Sequence, residues 1–112
     1  MRKAKAIWIP TLAAAATLYA LAAAADCILP APPSHLPSAG SASEQEMLAS
    51  MHTLKKYNDD VNEYTMCLEF EHRQSRISYE DYESHRRLAL ETLTTVTARF
   101  NEQVRLFKAR HS

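Results

Sequence analysis

The sequence predicts an all-α fold: an antiparallel two-helix hairpin, coiled-coil-like, preceded by an extended Pro-rich N-terminal arm. Three observations carry this expectation. Residues 43–112 contain neither glycine nor proline, the main helix breakers, although the chain holds one Gly and five Pro. Helix-start signatures occur twice, at Ser43 and at Ser78. Apolar residues after each start recur at spacings of three, four or seven, which puts them on one helix face.

The chain opens with a positive segment, Arg2, Lys3 and Lys5, and a mostly apolar stretch from Ala6 to Ala25 that ends Ala22-Ala23-Ala24-Ala25. Small residues at the third-last and last positions suit a signal peptidase, so residues 1–25 are expected to be a secretory signal peptide. A retained membrane anchor is the alternative, because the stretch is about one bilayer long. Its alanine content, Pro10 and the lack of a following basic cluster weigh against that. Lipidation at Cys27 is disfavoured, since Asp26 stands where a small residue normally precedes the cysteine. The expected location is extracytoplasmic: the periplasm in a two-membrane bacterium, otherwise outside the cell.

Cleavage would leave about 87 residues, one small domain near the size where a single core is only marginally sufficient. The precursor balances 13 Lys and Arg against 13 Asp and Glu, and loss of the three leader cations would make the mature chain net acidic. Charges of both signs alternate along it. No basic patch of the kind nucleic acid requires is present, so nucleic acid is not an expected partner.

Residues 26–42 form the arm. Pro30, Pro32, Pro33 and Pro37 fix φ and remove donors there, which favours polyproline II over helix. The first helix, over about 43–73, starts with Ser43 and Glu46 in a capping box. Its stripe is Met47, Met51, Leu54, Val61 and Leu68, interrupted by Asn58 and Thr65 and widened by Leu48, Tyr57, Tyr64 and Cys67. The second helix, over about 78–110, starts with Ser78 and Asp81, flanked by Ile77 and Tyr82 as a hydrophobic staple. Its stripe runs through Ala89, Leu93, Val96, Phe100, Val104 and Phe107, and Lys108 and Arg110 suit the negative end of the helix dipole. The turn is expected near Gln74 to Ile77. One continuous helix dimerising as a coiled coil is the alternative, and the second cap argues against it.

Cys27 and Cys67 are the only cysteines. In an exported chain an even number reads most simply as one disulfide, with two free thiols or two interchain bridges as alternatives. Sixteen residues of polyproline II reach ~50 Å at ~3.1 Å each. The 24 helical residues from Ser43 to Cys67 span ~36 Å. The arm is therefore long enough to run back along the first helix and set Cys27 beside Cys67, with Leu29, Pro30 and Leu36 on Tyr57 and Tyr64.

Few constellations suggest chemistry. Glu69 and His72 form an E-x-x-H on one helix, a spacing used in di-iron bundles, but the second helix offers no matching copy. His35, His52, His85 and His111 share no spacing. Glu80, Asp81 and Glu83 crowd a helix start, where they complement the dipole. A catalytic thiol at Cys67 would have to stay reduced in an oxidising compartment. Pro30-Ala31-Pro32-Pro33 contains P-x-x-P, readable as a docking peptide or as a stiff spacer. Met47, Met51 and Met66 read as core filling or as an adaptable binding surface. No catalytic, cofactor or metal residue is assigned.

The leader, Pro-Ala-Pro-Pro, Ala42-Ser43-Glu44-Gln45-Glu46-Met47, Tyr57-Asn58, Tyr64, Cys67-Leu68-Glu69 and Arg99-Phe100-Asn101-Glu102-Gln103-Val104 together resemble a group of small uncharacterised exported bacterial proteins. The resemblance implies export and a helical architecture, and carries no site residues. The expected function is that of a small exported non-enzymatic helical protein, a protein-interaction or envelope-associated module that binds another protein or itself. The alternative is a metal- or cofactor-binding helical bundle formed by dimerisation. Contact with a membrane is expected only through an uncleaved leader.

Overall fold

The computed structural model describes residues 27–112; the expected signal peptide and Asp26 lie outside the described residues. Two helices form an antiparallel hairpin, α1 over Glu44–Arg73 and α2 over Tyr79–Arg110, of 30 and 32 residues. Each is ~45–48 Å long at ~1.5 Å per residue. Both start where the caps require. Ser43 Oγ accepts from the Glu46 N–H at 3.1 Å while Glu46 Oε1 accepts from the Ser43 N–H at 2.9 Å, closing the capping box. Ser78 Oγ accepts from the Asp81 N–H at 3.1 Å. Ile77 and Tyr82, the staple pair, both pack onto the core.

The reversal between the helices is a Schellman ending made without glycine. The Ser75 N–H donates to His72 O and the Arg76 N–H to Glu71 O, each at 2.9 Å. This pattern needs a left-handed residue just past the helix, and Ser75 supplies it at φ 60°. A side chain at that position crowds the following carbonyl, which glycine would avoid.

The seam has a heptad rhythm. On α1, Tyr57, Val61, Tyr64 and Leu68 are buried, and Val61 is wholly inaccessible at 0 %. They meet Ala89 and Val96 of α2, with Leu54, Leu90 and Leu93 at the edges. Spacings alternate between four and three, as in the seven-residue repeat that keeps a seam facing its partner. A second cluster joins Ala42, Met47 and Phe100, with Leu36, Val104 and Phe107 against it. The buried line is displaced from the expected stripe: Met51 and Leu48 are 48 % and 46 % exposed. The start of the arm, Cys27 to Pro30, lies against the Tyr64–Cys67 edge of α1.

Cys27 and Cys67 are joined by a disulfide with Cα atoms 5.6 Å apart. From there the arm does not follow α1. Pro30 lies beside Tyr64, but Pro33 to Ser38 lie over α2. The expected packing of Leu36 on Tyr57 and Tyr64 is therefore corrected: Leu36 joins the Met47–Phe100 cluster, and Leu29 is 50 % exposed. The groove between two helices offers more apolar surface than one helix flank, so an extended chain settles along it. A turn then redirects the chain into α1, with the Ser41 and Ala42 N–H groups both donating to Ser38 O.

Two stability effects are expected. Replacing Ser75 with Gly relieves the left-handed penalty and should raise stability by about 1 kcal/mol, or roughly 4–8 °C in Tm, in a thermal melt. Opening the disulfide loop with Cys67→Ser should cost up to about 4 kcal/mol by loop entropy. An unchanged melt of that variant under non-reducing conditions would show that the bridge does not support the fold.

Candidate interaction surface

The half of the hairpin nearest the turn carries most of the exposed large apolar side chains among the described residues. Cys67 lies three residues before Phe70 and Met66 four residues before it, so Phe70 neighbours each of them on the surface of α1. The disulfide holds Ile28 near Tyr64 and Cys67 of α1, and Leu29 follows it in the chain. Ile28 is 78 % exposed, Met66 62 % and Phe70 47 %. Scattered apolar side chains on a surface are ordinary, whereas a group of them held in one place is a contact site in many proteins. Beside the bridge lies an open cavity of about 360 Å³ lined by Ile28, Pro30, Asp60, Glu63 and Tyr64. Asp60 is bonded to Lys56 Nζ at 2.8 Å.

An ion pair braces this end. Arg76 binds Glu71 with two bonds, Nε to Oε1 at 2.9 Å and Nη2 to Oε2 at 2.7 Å. These two residues also exchange the backbone bond that closes α1, where a hydrophobic contact is more usual. Glu71 is buried, and the fork of the guanidinium satisfies both of its oxygens. The Arg76 hydrogen bonds hold the Glu71 carboxyl below its usual range, against a smaller opposing effect of burial. The same guanidinium lies 5.5 Å from the centre of the Phe70 ring. Arg76 thus fixes both the turn and the most exposed aromatic face beside the disulfide.

Around the turn, His72 stacks on Tyr82 with ring centres 5.1 Å apart, and Tyr79 tilts against both. Burial pushes the phenols of Tyr57 and Tyr64 up.

The structure gives Glu69 and His72 different partners. Glu69 accepts from Arg73 at 3.0 Å on the surface, and His72 Nδ1 lies 3.3 Å from Ile77 O. Among the described residues, no three of His, Cys, Asp and Glu converge as a metal cage. His85 and His111 place Nδ1 near backbone carbonyls of their own helix, at Asp81 O and Phe107 O. His35 and His52 are exposed. Glu80 and Asp81 lie in the first turn of α2, and Glu83 reaches Arg86 at 3.7 Å. Met47 is buried, whereas Met51 and Met66 are exposed, so the three methionines divide between core and surface.

Three contacts that hold the arm have no signature in the sequence. The Ala39 N–H donates to Gln103 Oε1 at 2.8 Å. Arg110 donates to Gly40 O at 2.6 Å and to Ala42 O at 3.1 Å. Each spans more than sixty residues, and Arg110 is legible in sequence only as a dipole partner. No family model, curated protein or solved structure matches this chain.

The Glu71 pair makes stability pH-dependent in a defined sense. The folded carboxyl titrates below the unfolded one, so its contribution is complete above the ordinary carboxylate range and fades as pH falls through the depressed value. Glu46 and Glu102, held by Ser43 and Arg105, act in the same direction. Glu71→Gln should lower stability at neutral pH and flatten, without abolishing, the loss of stability in acid. Urea melts between pH 7 and pH 3 check this.

Proposed function

We propose that this chain is a small exported, non-enzymatic helical protein that works by binding another protein, with the disulfide end of the hairpin as its contact surface. The observation that carries this reading is the set of exposed apolar side chains around the Cys27–Cys67 bridge in the chain, Ile28 and Leu29 after Cys27 and Met66 and Phe70 flanking Cys67 on α1. A patch fixed in advance loses little conformational entropy on binding, so its apolar area converts efficiently into affinity. Aromatic and methionine side chains are common anchors in such contacts. The leader and the disulfide support an extracytoplasmic site of action, where thiols oxidise. Among the described residues no helix is long and apolar enough to cross a membrane. The dimeric metal-bundle alternative draws no support from Glu69 and His72, which bond to Arg73 and stack on Tyr82.

The test is site-specific photo-crosslinking of the exported protein in the cells that produce it. A probe at Met66 should give one discrete adduct, while a probe at Thr94, on the outer face of α2, should not. An adduct at twice the chain mass identifies the partner as a second copy. The double variant Met66→Ala, Phe70→Ala should weaken the adduct roughly tenfold, about 1.4 kcal/mol, with little change in melting because both side chains are exposed. Equal labelling at both positions, or none at Met66, would remove the basis for the proposal.

A further inference from the structure

The arm and α2 leave an open trough between them on the same side of the molecule. Two neighbouring cavities of about 630 and 410 Å³ make it up, and they share Pro33, Val96 and Arg99. Along α2 the trough runs from Leu88 to Gln103, ~22 Å at ~1.5 Å per residue. That is the length of six or seven residues of extended chain at ~3.3 Å each. An open trough of this length suits a strand of polypeptide better than a compact small molecule, which sites normally enclose.

Its charges are arranged for a partner. Arg99, at the junction of the two cavities, has no ion pair or hydrogen bond within the described residues. Glu102 beside it is already neutralised, bound through both oxygens by Arg105 at 3.0 and 2.7 Å. Gln103 uses its Oε1 for the Ala39 N–H and keeps its amide donors for another acceptor. Glu91, in the second cavity, is likewise unpaired. It lies eight residues before Arg99, ~12 Å along the helix. Between these opposite charges the floor is Val96, 8 % exposed, and the wall is Pro33.

We infer that this trough binds an extended peptide segment that sets a carboxylate on Arg99, an apolar side chain over Val96 and Pro33, and a basic side chain on Glu91 three or four residues away. The inference rests on the protein-binding reading above, and adds a second contact with a stated chemistry. The arm forms one wall of the trough, so recognition requires the intact disulfide that holds the arm over α2. Arg99 supplies selection: a planar guanidinium takes a carboxylate through two parallel bonds, and a wrong charge leaves it repelled. The trough is a different surface from the Phe70 patch, so one partner chain can engage both.

The experiment is a selection of displayed random heptapeptides on the full exported chain with its disulfide closed, run in parallel on Arg99→Glu and on the Met66→Ala, Phe70→Ala variant. The wild-type chain should enrich peptides with Asp or Glu three or four residues from Lys or Arg. Those peptides should bind Arg99→Glu at least tenfold more weakly, and Arg99→Glu should itself enrich peptides with a basic residue at the former acidic position. Because Arg99 is exposed and its side chain has no partner among the described residues, its replacement should leave the melting temperature unchanged. Peptides that bind Arg99→Glu as well as the wild type, but lose the Phe70 variant, would place all binding at the disulfide end and overturn the trough while sparing the protein-binding reading. Absence of any enrichment would overturn the trough alone, since the Phe70 patch is judged by its own cross-linking.

Discussion

Two helices of thirty residues share a single seam, and a seam cannot enclose both of their apolar faces. A two-helix chain is therefore short of a third layer, and the Cys27–Cys67 bridge is what provides one. It fastens the start of an extended arm to α1 at Cys67, from where the arm passes over α2. Without that covalent tie the arm would rest on Leu36, a few prolines and three hydrogen bonds gathered at its far end. Tyr57, Tyr64 and Leu68 are buried in the seam against α2 with Cys27 packed on the same cluster, and Met51 remains in solvent.

The arm is thus a strap held at its two ends by different physics. At the Cys27 end the tie is covalent and insensitive to packing. At the other end it is polar: Gln103 receives the Ala39 N–H, and Arg110 collects the carbonyls of Gly40 and Ala42. The second tie uses the last turn of α2 to fix the chain just before α1 begins, so it also closes the open end of the hairpin. Between the ties the prolines keep the chain extended at small entropic cost, because their backbone is already restricted when unfolded. A strap of this kind creates surface as well as covering it. Its outer side presents Ile28 and Leu29, and its α2 side leaves the trough at Arg99.

Much of the fold is legible from local chemistry. Ser43 with Glu46 and Ser78 with Asp81 mark helix starts because the hydroxyl and the amide it caps are only three residues apart. The absence of glycine and proline after residue 42 fixes helix content, and the two caps require a break between them. Less of the candidate site can be read this way. Met66 reads equally as core filling or as binding surface, and only the fold shows it exposed. Arg76 reads as one polar residue in a turn. Its fork onto Glu71 depends on a left-handed Ser75, a conformation that sequence rules assign to glycine first.

What the sequence alone determined is what acts over one turn of helix or less: two capped amphipathic helices, a stiff arm, and a pair of cysteines suited to an oxidising compartment. What only the tertiary structure decided is which edge of the hairpin the arm covers. That choice moves Leu36 from the tyrosines to the Phe100 cluster and leaves Ile28 and Arg99 exposed. The physical reason is that flanks of nearly equal polarity differ little in local pattern. The competition between them is settled by contacts across sixty or more residues, the hydrogen bonds of Gln103 and Arg110, and by where a disulfide between Cys27 and Cys67 lets the arm begin.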